Sequence, residues 1–118
     1  MIFEFYIGGY SGTSFELHYT RGTLEIQKYD YHHEKELKPL KVSVKNDQDW
    51  SIALAYLDSR KWKRYYDDMS DDGTQWEVKY LNKNVVLTAA GSNKYPPGFF
   101  KLLKLLNVVT RKVGIIVG

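Results

Sequence analysis

The 118-residue chain is 43% apolar and 15% aromatic, with a formal net charge of +3. That composition supplies a core for one domain, while so small a positive excess falls short of the roughly 6–10 clustered phosphate contacts a duplex-binding surface uses. It holds no cysteine, which excludes disulfides, thiolate zinc sites and a cysteine nucleophile.

The opening "MIFEF" carries Glu4 inside its apolar run and has no basic lead-in, unlike a secretion signal. Residues 2–7 alternate, with Phe3, Phe5 and Ile7 on one side and Glu4 and Tyr6 on the other; Gly8, Gly9 and Gly12 are expected to end that strand. A hairpin turning at Arg21-Gly22 follows, pairing Thr20 with Thr23, Tyr19 with Leu24, His18 with Glu25 and Leu17 with Ile26. This register gathers Phe15, Leu17, Tyr19, Leu24 and Ile26 on one face and Glu16, His18, Thr20, Thr23, Glu25 and Gln27 on the other. A one-residue slip would scramble both.

Residues 30–38 are polar, Pro39 ends them, and a short strand is expected over residues 40–44. Asn46 or Asp47 can cap a helix whose Trp50, Ala53, Leu54 and Leu57 recur at helical spacing, ending near Arg60 with basic residues in its last turn. A second hairpin sets Trp76, Val78 and Tyr80 beside Val85, Leu87 and Ala89. A turn at 82–83 or a loop over 81–84 pairs Tyr80 with Val85, Val78 with Leu87 and Trp76 with Ala89. Gly91-Ser92-Asn93 then releases the chain, and Pro96 and Pro97 stop ladder pairing and start a helix over 97–107. Phe99, Leu102, Leu103 and Leu106 form its apolar stripe, opposite Lys101 and Lys104. The closing "VGIIVG" is far too short to span a bilayer, for which about 20 apolar residues are needed. The expected fold class is α+β: an antiparallel sheet of about five strands, two helices packed on one face and solvent on the other. A soluble, cytoplasmic protein is expected.

Several segments have a functional reading beside an ordinary one. Backbone N–H groups near Ser92 and Asn93 can hold an anion at a helix start, but no phosphate-loop or dinucleotide signature is present, and turn chemistry explains the same residues. Segment 59–66 interleaves Arg60, Lys61, Lys63 and Arg64 with Trp62, Tyr65 and Tyr66, as single-strand nucleic-acid binders do. Asp67, Asp68, Asp71 and Asp72 follow at once and neutralise it. Asp68, Ser70 and Asp72 imitate the start of a calcium loop, yet position twelve, where a glutamate is required, is Lys79.

His32 and His33 are adjacent and point apart in extended chain. His18 faces Glu25, so a site of His18, Glu25 and a later histidine is conceivable beside the reading of solvated polar residues. No Gly-x-Ser-x-Gly elbow is present, and the paired acids Glu16 and Glu25 lack an apolar pocket that would separate their pKa values. No metal, cofactor or catalytic residue is assigned. Ten tyrosines and three tryptophans exceed what a small core needs. Tyr6, Tyr10, Tyr29 and Tyr31 fall on or near the polar sheet face, where such side chains suit a protein interface.

"DDGTQWEVKY" followed by "GSNKYPPGFFKLL" resembles a loose group of small uncharacterised bacterial proteins. They combine an Asp-Gly-Thr-x-Trp strand with a Gly-Ser-Asn-x-Tyr-Pro loop before a terminal helix. Asp72, Gly73, Thr74, Trp76, Gly91, Ser92, Asn93, Tyr95 and Pro96 carry the match over about a quarter of the chain; Pro97 and the apolar tail depart from it. The resemblance implies a bacterial or mobile-element origin and the hairpin–helix layout, and no activity. The sequence thus points to a non-enzymatic protein-binding module, immunity-like or accessory, contacting its partner through Tyr6, Tyr10, His18, Tyr29 and Tyr31. The alternatives are nucleic-acid or anion contact through Lys61, Lys63, Arg64, Ser92 and Asn93, a ligand, metal or enzyme site near His18 and Glu25, and a homodimer built on the wide apolar helix and tail.

Overall fold

Strand alternation decides which way the molecule faces. In β1 (Ile2–Gly9) Phe3, Phe5 and Ile7 are buried while Ile2 and Glu4 are exposed. The same period sorts β2 (Ser14–Thr20) and β3 (Thr23–Tyr29), where Leu17, Leu24 and Ile26 point inward. The computed structural model describes residues 1–9, 12–30, 38–67 and 73–118. Beyond β3 come β4 (Leu40–Ser43), α1 (Gln48–Asp58), β5 (Tyr65–Asp67), β6 (Thr74–Asn82), β7 (Val85–Ser92) and α2 (Phe99–Thr110).

The chain is α+β, and among the described residues its sheet is mixed and seven-stranded, in the order β4-β3-β2-β1-β6-β7-β5. The expectation of about five antiparallel strands is corrected at two points. β1 carries its pairing through Gly8 and ends at Gly9, opposite Gln75 and Thr74, and the strand sits at the sheet centre between β2 and β6. Tyr65–Asp67 adds an edge strand parallel to β7, too short to leave a period in the sequence.

The first hairpin has the expected register, Thr20 to Thr23 through Leu17 to Ile26. Arg21 and Gly22 both take positive φ (47° and 81°), as the twist of a two-residue hairpin requires. The second hairpin is shifted by two residues from expectation: it turns at Lys83-Asn84, and Tyr80 lies opposite Leu87, Val78 opposite Ala89 and Trp76 opposite Gly91. A two-residue shift preserves every face, so hydrophobic sorting could not tell the registers apart.

Both helices lie on the inner face. Trp50 packs edge-on to Phe3 and stacks on Tyr19, while Phe99 approaches Phe5 and Trp76. The principal extents are 40 × 34 × 19 Å, a two-layer plate at about 10 Å per packed layer. Asp47 caps α1, accepting the Trp50 N–H at 2.9 Å. The helix stops at Asp58 with no basic residue in its last turn; instead Arg60 reaches back, its Nε donating to the Tyr56 carbonyl at 3.2 Å.

α2 begins two residues later than expected, because Pro97 and Gly98 (φ 81°) form the turn into it. Its tail folds back on itself. Val117 is buried, its N–H donating to Asn107 Oδ1 and its carbonyl accepting from Asn107 Nδ2, and Thr110 Oγ1 donates to the Ile115 carbonyl. Val117 is thus spent covering its own helix, while Phe100, Val108 and Ile116 of the helix and tail remain exposed.

Lys112 ties this C-terminal end to the start of α1, bonding Asp47 and lying 3.2 Å from Asp49. The Lys112 hydrogen bond, and then the Trp50 N–H, hold the Asp47 carboxyl below its ordinary value of 3.8. A depressed carboxylate stabilises the fold above its unfolded pKa, and that contribution is lost as pH falls through the folded value. Asp47→Ala should therefore lose about 1 kcal/mol at neutral pH in urea unfolding, and the gap to wild type should narrow at pH below 3.8.

Tyr80, buried at the sheet centre, donates to Asp58 Oδ1 at 2.5 Å and accepts from Asn82 Nδ2. Burial, then the Asp58 carboxylate, push its hydroxyl up to about 12. The raised value makes its contribution complete below pH 10 and lost as pH climbs toward 12. Phenolate absorbance should show a tyrosine titrating at about 12 whose ionisation coincides with loss of stability, and Tyr80→Phe should remove that coincidence.

Candidate functional site: the outer sheet face

The face turned away from the helices carries the even-numbered residues of β1 and β2 and the odd-numbered residues of β3 and β6. Strand pairing lines them up in rows. One row runs Thr88, Lys79, Glu4, His18, Glu25 and Lys41 across six adjacent strands. Acidic and basic side chains alternate along it, and His18 Nδ1 lies 3.7 Å from Glu4 Oε1. Opposite charges facing across strands contribute about 0.2–1 kcal/mol each, so this ladder is largely self-compensating.

The neighbouring row differs. Tyr6 has Glu16 on one side and Glu77 on the other. Around it lies a shallow depression of about 380 Å³ lined by Glu4, Tyr6, Glu16, His18, Glu77 and Lys79 along with the backbone of β1 and β2. The Tyr6 hydroxyl donates to Ser14 Oγ at 3.3 Å, laying the ring toward Gly8, where an added Cβ would come within 2.9 Å of that hydroxyl. Glu16 accepts from the Tyr29 hydroxyl at 2.8 Å. Partial burial, and then this carboxylate, raise Tyr29 above its ordinary value of 10.0. Glu77 has no ion pair or side-chain hydrogen bond among the described residues.

On the other side of the charge ladder the face turns apolar. Ile2 pairs with Leu81 and Leu81 with Val86, placing three aliphatic side chains in line across β1, β6 and β7. Val86 is 70% exposed and Ile2 41%.

The sequence-derived candidates separate under this geometry. Tyr6, His18 and Tyr29 come together on the outer face, with Tyr6 and Tyr29 committed to internal hydrogen bonds. Tyr10 and Tyr31 lie outside the described residues, as do His32, His33 and the acidic loop over 68–72. His18 and Glu25 are cross-strand neighbours, and among the described residues no three metal-ligating side chains cluster. Glu77, Lys79, Ile2, Leu81 and Val86 were not singled out from sequence; parity shows that they point outward, but only the long-range pairing of β1 with β6 makes them neighbours.

Lys61, Lys63 and Arg64 are exposed between α1 and β5. The aromatics between them face inward: Trp62 packs near Trp76 and Phe99 and donates to the Pro97 carbonyl at 3.0 Å, and Tyr66 packs on Trp76. Tyr65 alone of the three stays exposed, so little of the stacking platform faces solvent.

Ser92 and Asn93 belong to an interlock between the two quoted motifs. Asn93 Oδ1 accepts the Thr74 N–H and its own N–H donates to the Thr74 carbonyl; Ser92 Oγ accepts from Gln75 Nε2. A Cβ at Gly73 (φ 132°) would fall 1.7 Å from Asn93 Oδ1. One at Gly91 would fall 2.4 Å from Trp76 Nε1, which itself donates to the Lys94 carbonyl. Both glycines are therefore spaces for a neighbour. Gly91→Ala should cost about 1–3 kcal/mol in urea unfolding, with Trp76 fluorescence shifted in the folded state, because neither indole nor backbone can yield.

No protein-family model, curated protein or solved structure matches this chain.

Proposed function

We propose that this chain is a non-enzymatic protein-binding module, of the immunity-like or accessory kind, that engages its partner through the outer sheet face. The observation that carries the reading is the depression around Tyr6 and, across the charge ladder, the Ile2–Leu81–Val86 row with Ile2 and Val86 exposed, on a face no described helix covers. Small, exposed, uncompensated features of this sort serve no evident purpose in packing, whereas an apolar strip beside polar anchors is what a protein interface presents. The resemblance to small bacterial proteins rests on the Gly73–Trp76 and Gly91–Pro96 interlock. Those residues hold the scaffold together, so the likeness supports a shared architecture and carries no activity.

Tagged wild-type protein and two exposed-site variants should be used as baits in lysate of the source cells: Val86→Asp for the outer face, and Lys63→Ala with Arg64→Ala for the basic segment. A stoichiometric protein retained by wild type and by the basic-segment variant, and lost with Val86→Asp, is the expected outcome. Nuclease-sensitive material lost only with the basic-segment variant would replace this reading with nucleic-acid binding.

A further inference from the structure

We infer that the partner is a basic protein surface, which inserts a lysine or arginine side chain into the depression around Tyr6 while its apolar neighbours cover Ile2, Leu81 and Val86; this rests on the outer-face reading above. The depression gathers Glu4, Glu16 and Glu77 against Lys79, with His18 already beside Glu4. It is acidic on a chain whose net charge is +3, so its sign is a local property of this face. The ladder row balances its own charges, but Glu16 and Glu77 flank Tyr6 with no cation in their row.

Geometry narrows the occupant. Tyr6 is pinned toward Gly8 by Ser14, which fixes its ring against the depression, with Glu16 and Glu77 on the two neighbouring strands. A guanidinium or ammonium there meets an aromatic group and acceptors together, which favours it by charge and by cation–π contact. Polyanions are repelled from the same place. A free small cation would leave the aliphatic row unused, whereas a loop carrying both a basic and an apolar residue covers both.

The test uses the full chain, isotope-labelled, followed by amide shifts in NMR titrations at low salt. The probes are a cyclic peptide alternating arginine, lysine and leucine, the same ring with glutamate at each basic position, and a short oligothymidylate. The basic ring is expected to shift the amides of Tyr6, Glu16, Glu77 and Val86, while the other two leave them in place. Binding should weaken about tenfold in Glu16→Gln with Glu77→Gln. Both substitutions are isosteric at exposed positions, and an unchanged amide pattern in the inner-face strands shows that the variant is folded.

Binding of the acidic ring or the oligothymidylate on this face, no shift with the basic ring, or equal affinity in the carboxamide variant would each overturn the inference. A lysate partner lost with Val86→Asp yet indifferent to the carboxamide pair would overturn it too, while leaving the outer-face module standing. Basic-ring shifts confined to the helix side would overturn the basic-partner inference, and a lysate partner indifferent to Val86→Asp would overturn the module reading.

Discussion

Much of the architecture hangs on the indole of Trp76. It lies almost wholly buried, 2% exposed, on the inner face of β6. Its ring is 4.7 Å from that of Phe99 and within about 6 Å of those of Trp62 and Tyr66. Through these contacts one side chain draws together β6, the start of α2, the segment after α1 and the edge strand β5. Its N–H is satisfied by the Lys94 carbonyl, without which burial of that donor would cost about 1–3 kcal/mol. Gly91 on the paired strand supplies the room. The loop that the sequence reads as turn chemistry is the frame in which Trp76 sits.

The same accounting absorbs much of the aromatic surplus. Trp50, Trp76 and Tyr80 are buried; Tyr19, Tyr56, Trp62, Tyr66 and Tyr95 pack against the core from its margin. Tyr56 also donates to the Gly98 carbonyl and lies under the Arg60 guanidinium at 4.0 Å. A thin plate with one face that no described helix covers has a narrow core and a long perimeter. Large rings with a polar tip suit that perimeter, because they bury area while keeping the hydroxyl or N–H bonded. Counting tyrosines therefore pointed to an interface where most of them are structural, and the two described candidates on the outer face, Tyr6 and Tyr29, are themselves hydrogen-bonded within it.

Local rules read well where the interaction is local. The parity of Phe3, Phe5 and Ile7, the Arg21-Gly22 turn, the Asp47 cap and the Phe99–Leu106 stripe all follow from neighbours a few residues apart. What failed was long-range. Nothing near Gly8 says that it pairs with Gln75, and nothing near Tyr66 says that its strand lies parallel to β7. The two-residue shift in the second hairpin is the instructive case. Asn82-Lys83 and Lys83-Asn84 are similar as turns, and faces are conserved under either choice. The interlock of Gly91 with Trp76 exists only in the observed register, so tertiary fit selects it. The outer face was half legible for the same reason: alternation names the residues that point outward, but pairing β1 with β6 is what sets Glu77 beside Tyr6 and Leu81 beside Ile2.

Glu16 and Glu77 also show why this face can wait in water and still be selective. They sit on either side of Tyr6, two strand spacings apart, or about 10 Å. That is close to the Debye length of about 8 Å at physiological ionic strength, so their mutual repulsion is weak while the face is bare. Covering it removes the screening water and ions. A neutral apolar partner would have to desolvate both carboxylates with only the Tyr29 hydroxyl on Glu16 to offset it, and burying a charge without a counter-ion costs several kcal/mol. A cation entering the depression beside Tyr6 offsets that desolvation by pairing with a carboxylate. The aliphatic row supplies area that any apolar surface could use; Glu16 and Glu77, across the charge ladder from it, determine which surface can.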